Sequence, residues 1–110
     1  MEKPKIINLG NGKYKEVYYS NDGIRQHESY YLKGKLHRED GPAFVAYYKN
    51  GTIGMESYCL NNQMHRENGP AQIFYKQDKH INQVHYYLNG KGYTKEQFET
   101  QMFKKKLELL

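Results

Sequence analysis

Cysteine is almost missing from this chain of 110 residues, which holds Cys59 alone. A lone thiol closes no internal disulfide and supplies no multi-cysteine zinc site, so a reducing compartment fits. Long apolar runs are missing as well. The opening MEKPKIINLG lacks the core of a signal peptide, and no stretch approaches the ~20 apolar residues of a membrane-spanning helix. A cytoplasmic protein without a membrane partner is expected. Reaction-centre motifs are absent too: no phosphate-binding glycine loop, no Gly-x-Ser-x-Gly and no paired-carboxylate signature occurs, so neither an enzyme nor a cofactor is expected. The excess of positive charge is mild, 17 Lys and Arg against 12 Asp and Glu. Apart from Lys104, Lys105 and Lys106 these cations are dispersed, which suits a solvated helix end better than the dense patch of a DNA reader.

What the chain does have is tyrosine. A hydrophobic content of 37% would suggest disorder, but 15% aromatics, with 12 Tyr, supply burial that disordered chains lack. A tyrosine ring can sit inside while its hydroxyl stays wet. The length allows one domain, residues 1–110, with a modest core.

The second asset is a repeat. Shifted by 28 positions, residues 19–46 align without a gap on residues 47–74, and 12 of the 28 positions are identical. Half of the identities form one block, His37, Arg38, Glu39, Gly41, Pro42 and Ala43 against His65, Arg66, Glu67, Gly69, Pro70 and Ala71. A decaying third copy starts at Tyr75 and keeps Tyr86, Tyr87 and Leu88. Fixed spacing points to a stacked structural unit, since a catalytic constellation has no reason to recur at an interval. The expected organisation is a lead-in strand over 1–18, repeats over 19–46 and 47–74, a partial repeat over 75–93 and a helix over 94–110.

Within each unit the apolar period is two. Ala43, Val45 and Tyr47, with Ala71, Ile73 and Tyr75, define a core face, while Phe44 and Tyr48 lie opposite and vary between copies. Tyr30, Leu32, Tyr58, Leu60, Tyr86 and Leu88 form further inward rows, and Tyr31, Cys59 and Tyr87 fall on the variable side. Asn21-Asp22-Gly23, Lys33-Gly34, Asn50-Gly51, Asn61-Asn62 and Asn89-Gly90 supply hairpin turns. About six strands are expected, near 14–19, 25–32, 43–48, 53–60, 71–76 and 81–88. After Thr94 the period becomes about 3.6: Thr94 and Gln97 read as a capping box, Phe98 and Met102 share a face, and Phe103, Leu107 and Leu110 are expected to continue the apolar side with a shift. The fold class is therefore mainly β, an open, curved antiparallel sheet of tandem hairpins with a C-terminal capping helix.

The recurrent corner has a structural reading. Pro42 and Pro70 suit the start of a strand, and Asp40-Gly41 and Asn68-Gly69 suit the turn before it. Arg38 and Arg66 are expected to tie Glu39, Glu67, Glu28 or Glu56 across adjacent units, and His37 and His65 to lie over a Tyr ring or bond a carbonyl. A shared metal is disfavoured, because equivalent atoms of successive hairpins stand roughly 9 to 10 Å apart whereas zinc ligands are ~3 to 4 Å from each other.

Tyr47-Tyr48-Lys49-Asn50-Gly51 and Tyr86-Tyr87-Leu88-Asn89-Gly90-Lys91 resemble the hairpins of MORN-type repeats. LHREDGPA and MHRENGPA are similar to tandem repeats of small bacteriophage, bacterial and large DNA virus proteins. The resemblance covers residues 19–91 and implies a sheet that serves as a binding or scaffolding surface; it carries over no catalytic residue. Asn62, Gln63, Gln77 and Lys79 depart from its usual turns. The function expected is non-enzymatic binding, with a phage-encoded inhibitor of a host defence machine, such as an anti-CRISPR, as its concrete form. The partner would be a host protein or ribonucleoprotein, met in the host cytoplasm through Tyr31, Lys33, Lys35, Phe44, Tyr48 and Tyr87. Two alternatives stand beside it: binding of single-stranded nucleic acid or a nucleotide signal, for which tyrosines among Lys and Arg are suited, and self-association through a free edge strand.

Overall fold

Pairs of residues with positive φ decide where the chain reverses. In the computed structural model, which describes residues 3–110, four such pairs close two-residue hairpins: Asn11-Gly12 at φ 56° and 78°, Lys33-Gly34 at 49° and 82°, Asn61-Asn62 at 49° and 68°, and Asn89-Gly90 at 50° and 81°. Two successive left-handed residues make the turn whose twist matches a β-hairpin, which is why asparagine and glycine recur there. Asn62 takes the place of glycine and gains a bond for it, its Oδ1 accepting from the Leu36 N–H at 2.7 Å.

These turns give the unit its shape. The lead-in is a hairpin, β1 (Lys5–Gly10) and β2 (Lys13–Tyr19); its first residues, 1 and 2, lie outside the described part. β3 (Arg25–Leu32) folds onto a short β4 (Lys35–Leu36), and the chain passes the first corner into β5 (Phe44–Tyr47) and β6 (Ile53–Ser57). A separate short hairpin follows, β7 (Cys59–Leu60) with β8 (Gln63–Met64). After the second corner come β9 (Gln72–Tyr75), β10 (Ile81–Leu88) and β11 (Lys91–Tyr93), then α1 (Lys95–Glu108).

The described residues thus hold eleven strands where about six were expected. The five extra ones are β1, the return arms β4, β8 and β11 of two-residue turns, and β7, split from the strand before it. The expected strand 53–60 is broken at Tyr58, whose N–H donates to the Ala71 carbonyl at 2.7 Å. The main sheet is open and antiparallel, in the order β1-β2-β3-β5-β6-β9-β10-β11. Successive units therefore lie side by side.

The molecule measures 51 × 36 × 19 Å with a radius of gyration of 15.8 Å, against about 13 Å for a compact domain of this length. A sheet this thin has to dry one face by itself. Directly paired residues share a face, and one row runs Val17, Glu28, Val45, Glu56, Ile73, Val84 across six strands. Ala43 and Ala71 beside it are fully buried, as the alternation implied. The cover consists of tyrosines and arginines: Arg25 lies 4.5 Å from the Tyr47 ring, Arg38 4.0 Å from Tyr30 and Arg66 3.9 Å from Tyr58. A planar guanidinium on a ring shields apolar surface while its donors stay satisfied.

The glutamates in this row are held by that cover. Glu28, 4% exposed, accepts from the Tyr47 hydroxyl at 2.5 Å, Lys15 at 3.2 Å and Arg25 at 2.9 Å. Burial alone would raise its carboxyl, but the Tyr47 hydroxyl and the two cations outweigh this and hold it below the usual carboxylate range. Burial and the Glu28 carboxylate push Tyr47 up to about 12. In the next unit Tyr75 donates to Glu56 at 2.5 Å and is pushed up to about 12 by burial and that carboxylate.

At the far end α1 starts in the expected capping box, with both the Thr94 and the Gln97 bonds present. Phe98, 6% exposed, lies 4.9 Å from the Tyr86 ring. Phe103 and Leu107 do not continue that packed side; they are 64% and 52% exposed. At ~100° per residue they stand about 140° and 180° around the helix from Phe98, so one sheet end cannot receive both sets. Leu110, beyond the helix, is fully exposed. Among the described residues no helix is long and apolar enough to cross a membrane.

Candidate functional site

The corner residues exchange the roles expected of them. Arg38 folds back on its own turn, donating to Asp40 at 2.9 Å and to the Pro42 carbonyl at 3.2 Å while it covers Tyr30. Arg66 does the same with the Pro70 carbonyl at 3.2 Å and with Tyr58. Neither arginine reaches Glu28 or Glu56. A Cβ at Gly41 would stand 3.0 Å from the Arg38 guanidinium and make it shift, whereas at Gly69 the same approach is 3.6 Å, an ordinary contact.

Histidine joins each unit to the next. His37 Nδ1 accepts from the Asn61 N–H at 3.0 Å, and His65 Nδ1 accepts from the Asn89 N–H at 2.9 Å, each reaching the turn of the following unit. Glu39 and Glu67 sit at the other ring nitrogens, at 3.4 and 3.3 Å, and fix the rings. The histidines therefore bond backbone N–H groups rather than carbonyls, and arginine instead of histidine covers the tyrosines. The donated N–H groups fix Nδ1 as an acceptor and commit it to structure. Among the described residues no three His, Cys, Asp or Glu side chains are grouped to hold a metal.

The opposite face of the sheet is where uncommitted surface lies. One row reads Tyr18, His27, Ala46, Met55, Phe74, Gln83 and the next Glu16, Ser29, Phe44, Ser57, Gln72, His85. Tyr14 stacks on Tyr31 with centroids 5.1 Å apart, His27 lies 4.4 Å from Tyr18 and 5.5 Å from Phe44, and Phe74 meets His85 at 6.0 Å. Among the described residues no arginine lies over these rings, and Glu16 is the one carboxylate in the two rows. Most of the rings are half-buried by one another, with their outer sides open. His27 Nδ1 is buried among them without a hydrogen-bond partner.

The six residues expected to contact a partner do not form one patch. Tyr31 and Phe44 lie on this bare face, and Lys33 and Lys35 are exposed at its edge in the β3–β4 hairpin. Tyr87 shares the face at the far end, its ring against Gly92. Tyr48 is committed elsewhere: its hydroxyl donates to the Tyr75 carbonyl at 2.6 Å and its ring covers Gly54. Tyr14, Tyr18, Met55 and Phe74 were missed. Following the alternation outward from Phe44 and Tyr31 along every strand finds them.

Cys59 is 4% exposed, and burial pushes its thiol up, which disfavours the thiolate. What the bare face offers is area, ring surface and little charge, which suits binding by shape. In comparisons with protein-family models, curated proteins and solved structures, the chain matched none.

Proposed function

We propose that this chain is a non-enzymatic binding protein that holds a protein partner on the bare aromatic face of its sheet. The observation that carries the reading is surplus surface. The accessible area is 7756 Å² for 13.1 kDa, whereas a compact monomer of this mass exposes about 6,400 Å². The surplus of about 1,400 Å² exceeds the ~800 Å² that one partner contributes to an ordinary protein interface.

The composition of the face favours protein over nucleic acid. Interface cores are enriched in aromatics and methionine and poor in charge, as are the rows around Phe44, Met55 and Phe74. A single-strand binder needs cations beside its stacking rings, and here Arg25, Arg38 and Arg66 are spent on the other face. Pairing through β1 is less favoured, because Lys3, Pro4 and Lys5 guard that edge. The likeness to MORN-type and LHREDGPA repeats supplies the rest: a phage-encoded inhibitor that binds a host defence protein or ribonucleoprotein, such as a CRISPR effector, in the host cytoplasm.

The test is capture on immobilised protein with nuclease present, comparing the native chain with Phe44→Glu and Phe74→Glu, and with Lys79→Gly as a remote control. A stoichiometric protein kept by the control and lost from both face variants supports the proposal, as does inhibition of a CRISPR effector lost in the same variants. Capture indifferent to both variants overturns it. Capture abolished by nuclease and weakening steeply with salt transfers the function to nucleic acid.

A further inference from the structure

We infer that α1 is a self-association surface, on which a second copy of this chain docks its own α1 in antiparallel orientation. This goes beyond the binding of a partner on the sheet face and uses a different part of the molecule. The starting observation is that the helix has two apolar sides. Phe98 faces the sheet with Met102 half-buried one turn on, and Phe103 and Leu107 face water at 64% and 52% exposure. Capping the sheet accounts for the first side only.

Charge along the outward stripe selects the occupant. Taking ~100° per residue, Glu96, Glu99, Lys106 and Leu107 all fall within about 60° of Phe103. The stripe is therefore acidic in its first turns, apolar in the middle and basic at Lys106. A parallel neighbour would set Glu99 against Glu99 and Lys106 against Lys106. An antiparallel copy related by a two-fold axis at Phe103 places Glu99 of one chain beside Lys106 of the other, twice, around a Phe103–Phe103 centre. It also brings the positive end of each helix dipole near the negative end of the other. An isologous surface must be self-complementary in this way, and this stripe is. The area of one helix pair is small, so the dimer is weak and concentration-dependent.

Sedimentation of the full chain over a concentration series tests this. The expected result is a monomer–dimer equilibrium that Phe103→Glu weakens by about 30-fold or more, as loss of a central aromatic does. Glu99→Lys and Lys106→Glu should each weaken it, and the two together should restore it. All of these side chains are exposed, so circular dichroism should show an unchanged fold in every variant. Phe103→Cys should also form a cross-axis disulfide on oxidation, while Cys59 stays buried. A monomer at every concentration overturns the inference. A dimer unaffected by Phe103→Glu overturns it too, pointing to the β1 edge or the sheet face, and failure of the charge swap to rescue refutes the orientation. Partner capture by the monomeric Phe103→Glu chain reads the sheet face independently, so the two proposals fail separately.

Discussion

Replacing Tyr47 by Phe removes one oxygen and leaves the ring under Arg25, which makes it a clean probe of how the sheet tolerates a buried glutamate. The lost bond is a hydroxyl donated at 2.5 Å to Glu28, and a bond to a charged acceptor contributes about 1.5 to 3 kcal/mol. Burial first, and then the Glu28 carboxylate, push Tyr47 from 10.0 up to about 12. That displacement yields a pH prediction. A raised phenol stabilises the native state fully below its unfolded value and loses that contribution as pH rises through its folded value. Near neutrality the variant should therefore be less stable by about 1.5 to 3 kcal/mol, with the gap narrowing as pH rises from the ordinary phenol value of 10.0 towards about 12. Urea unfolding at a series of pH values, followed by circular dichroism with tyrosinate absorbance as an internal check, measures both curves. Tyr75 titrates in both proteins and largely cancels. Parallel curves across the alkaline range would refute the reasoning, because they would mean that the hydroxyl is not holding Glu28.

His37→Ala leaves the Asn61 N–H without its acceptor and a void beside the corner, so unfolding should show a loss of about 1 to 3 kcal/mol, and His65→Ala should behave alike through Asn89. Lys79 holds φ at 78° where the earlier units have Gly23 at 81° and Gly51 at 87°; Lys79→Gly should raise stability by up to about 1 kcal/mol in the same assay. Cys59, at 4% exposure, should react with a thiol reagent only as fast as the chain opens, and fast labelling in native buffer would contradict its burial.

The architecture was legible because two periods are superposed. The interval of 28 residues fixed the units, and the alternation around Val45 and Ile73 identified the dry face. Short return arms escaped because a two-residue strand has no alternation to detect; only the turn pairs betray it, and at Asn11-Gly12 even that cue went unused. At the corner the side chains take contacts other than those expected. Residue type says that His and Arg can each meet a ring or a backbone group, and only the fold shows that Arg38 turns back on Pro42 while His37 reaches Asn61. The aromatic face was half visible: Phe44 and Tyr31 were found by their variability between copies, whereas Tyr14 and Tyr18 lie before the first copy and have nothing to vary against. Helix rotation placed Phe103 and Leu107 away from the sheet, which apolar character alone does not disclose.

Because each histidine clasps only the turn of the unit that follows, no bond of this kind skips a neighbour. Duplicating residues 47–74 in tandem would insert two more strands and lengthen the molecule by roughly 10 Å, with the old clasps intact and one new clasp at the added seam. Gene slippage in steps of 84 nucleotides would then change the reach of this protein in fixed increments, as links are added to a watch strap, without redesigning either end.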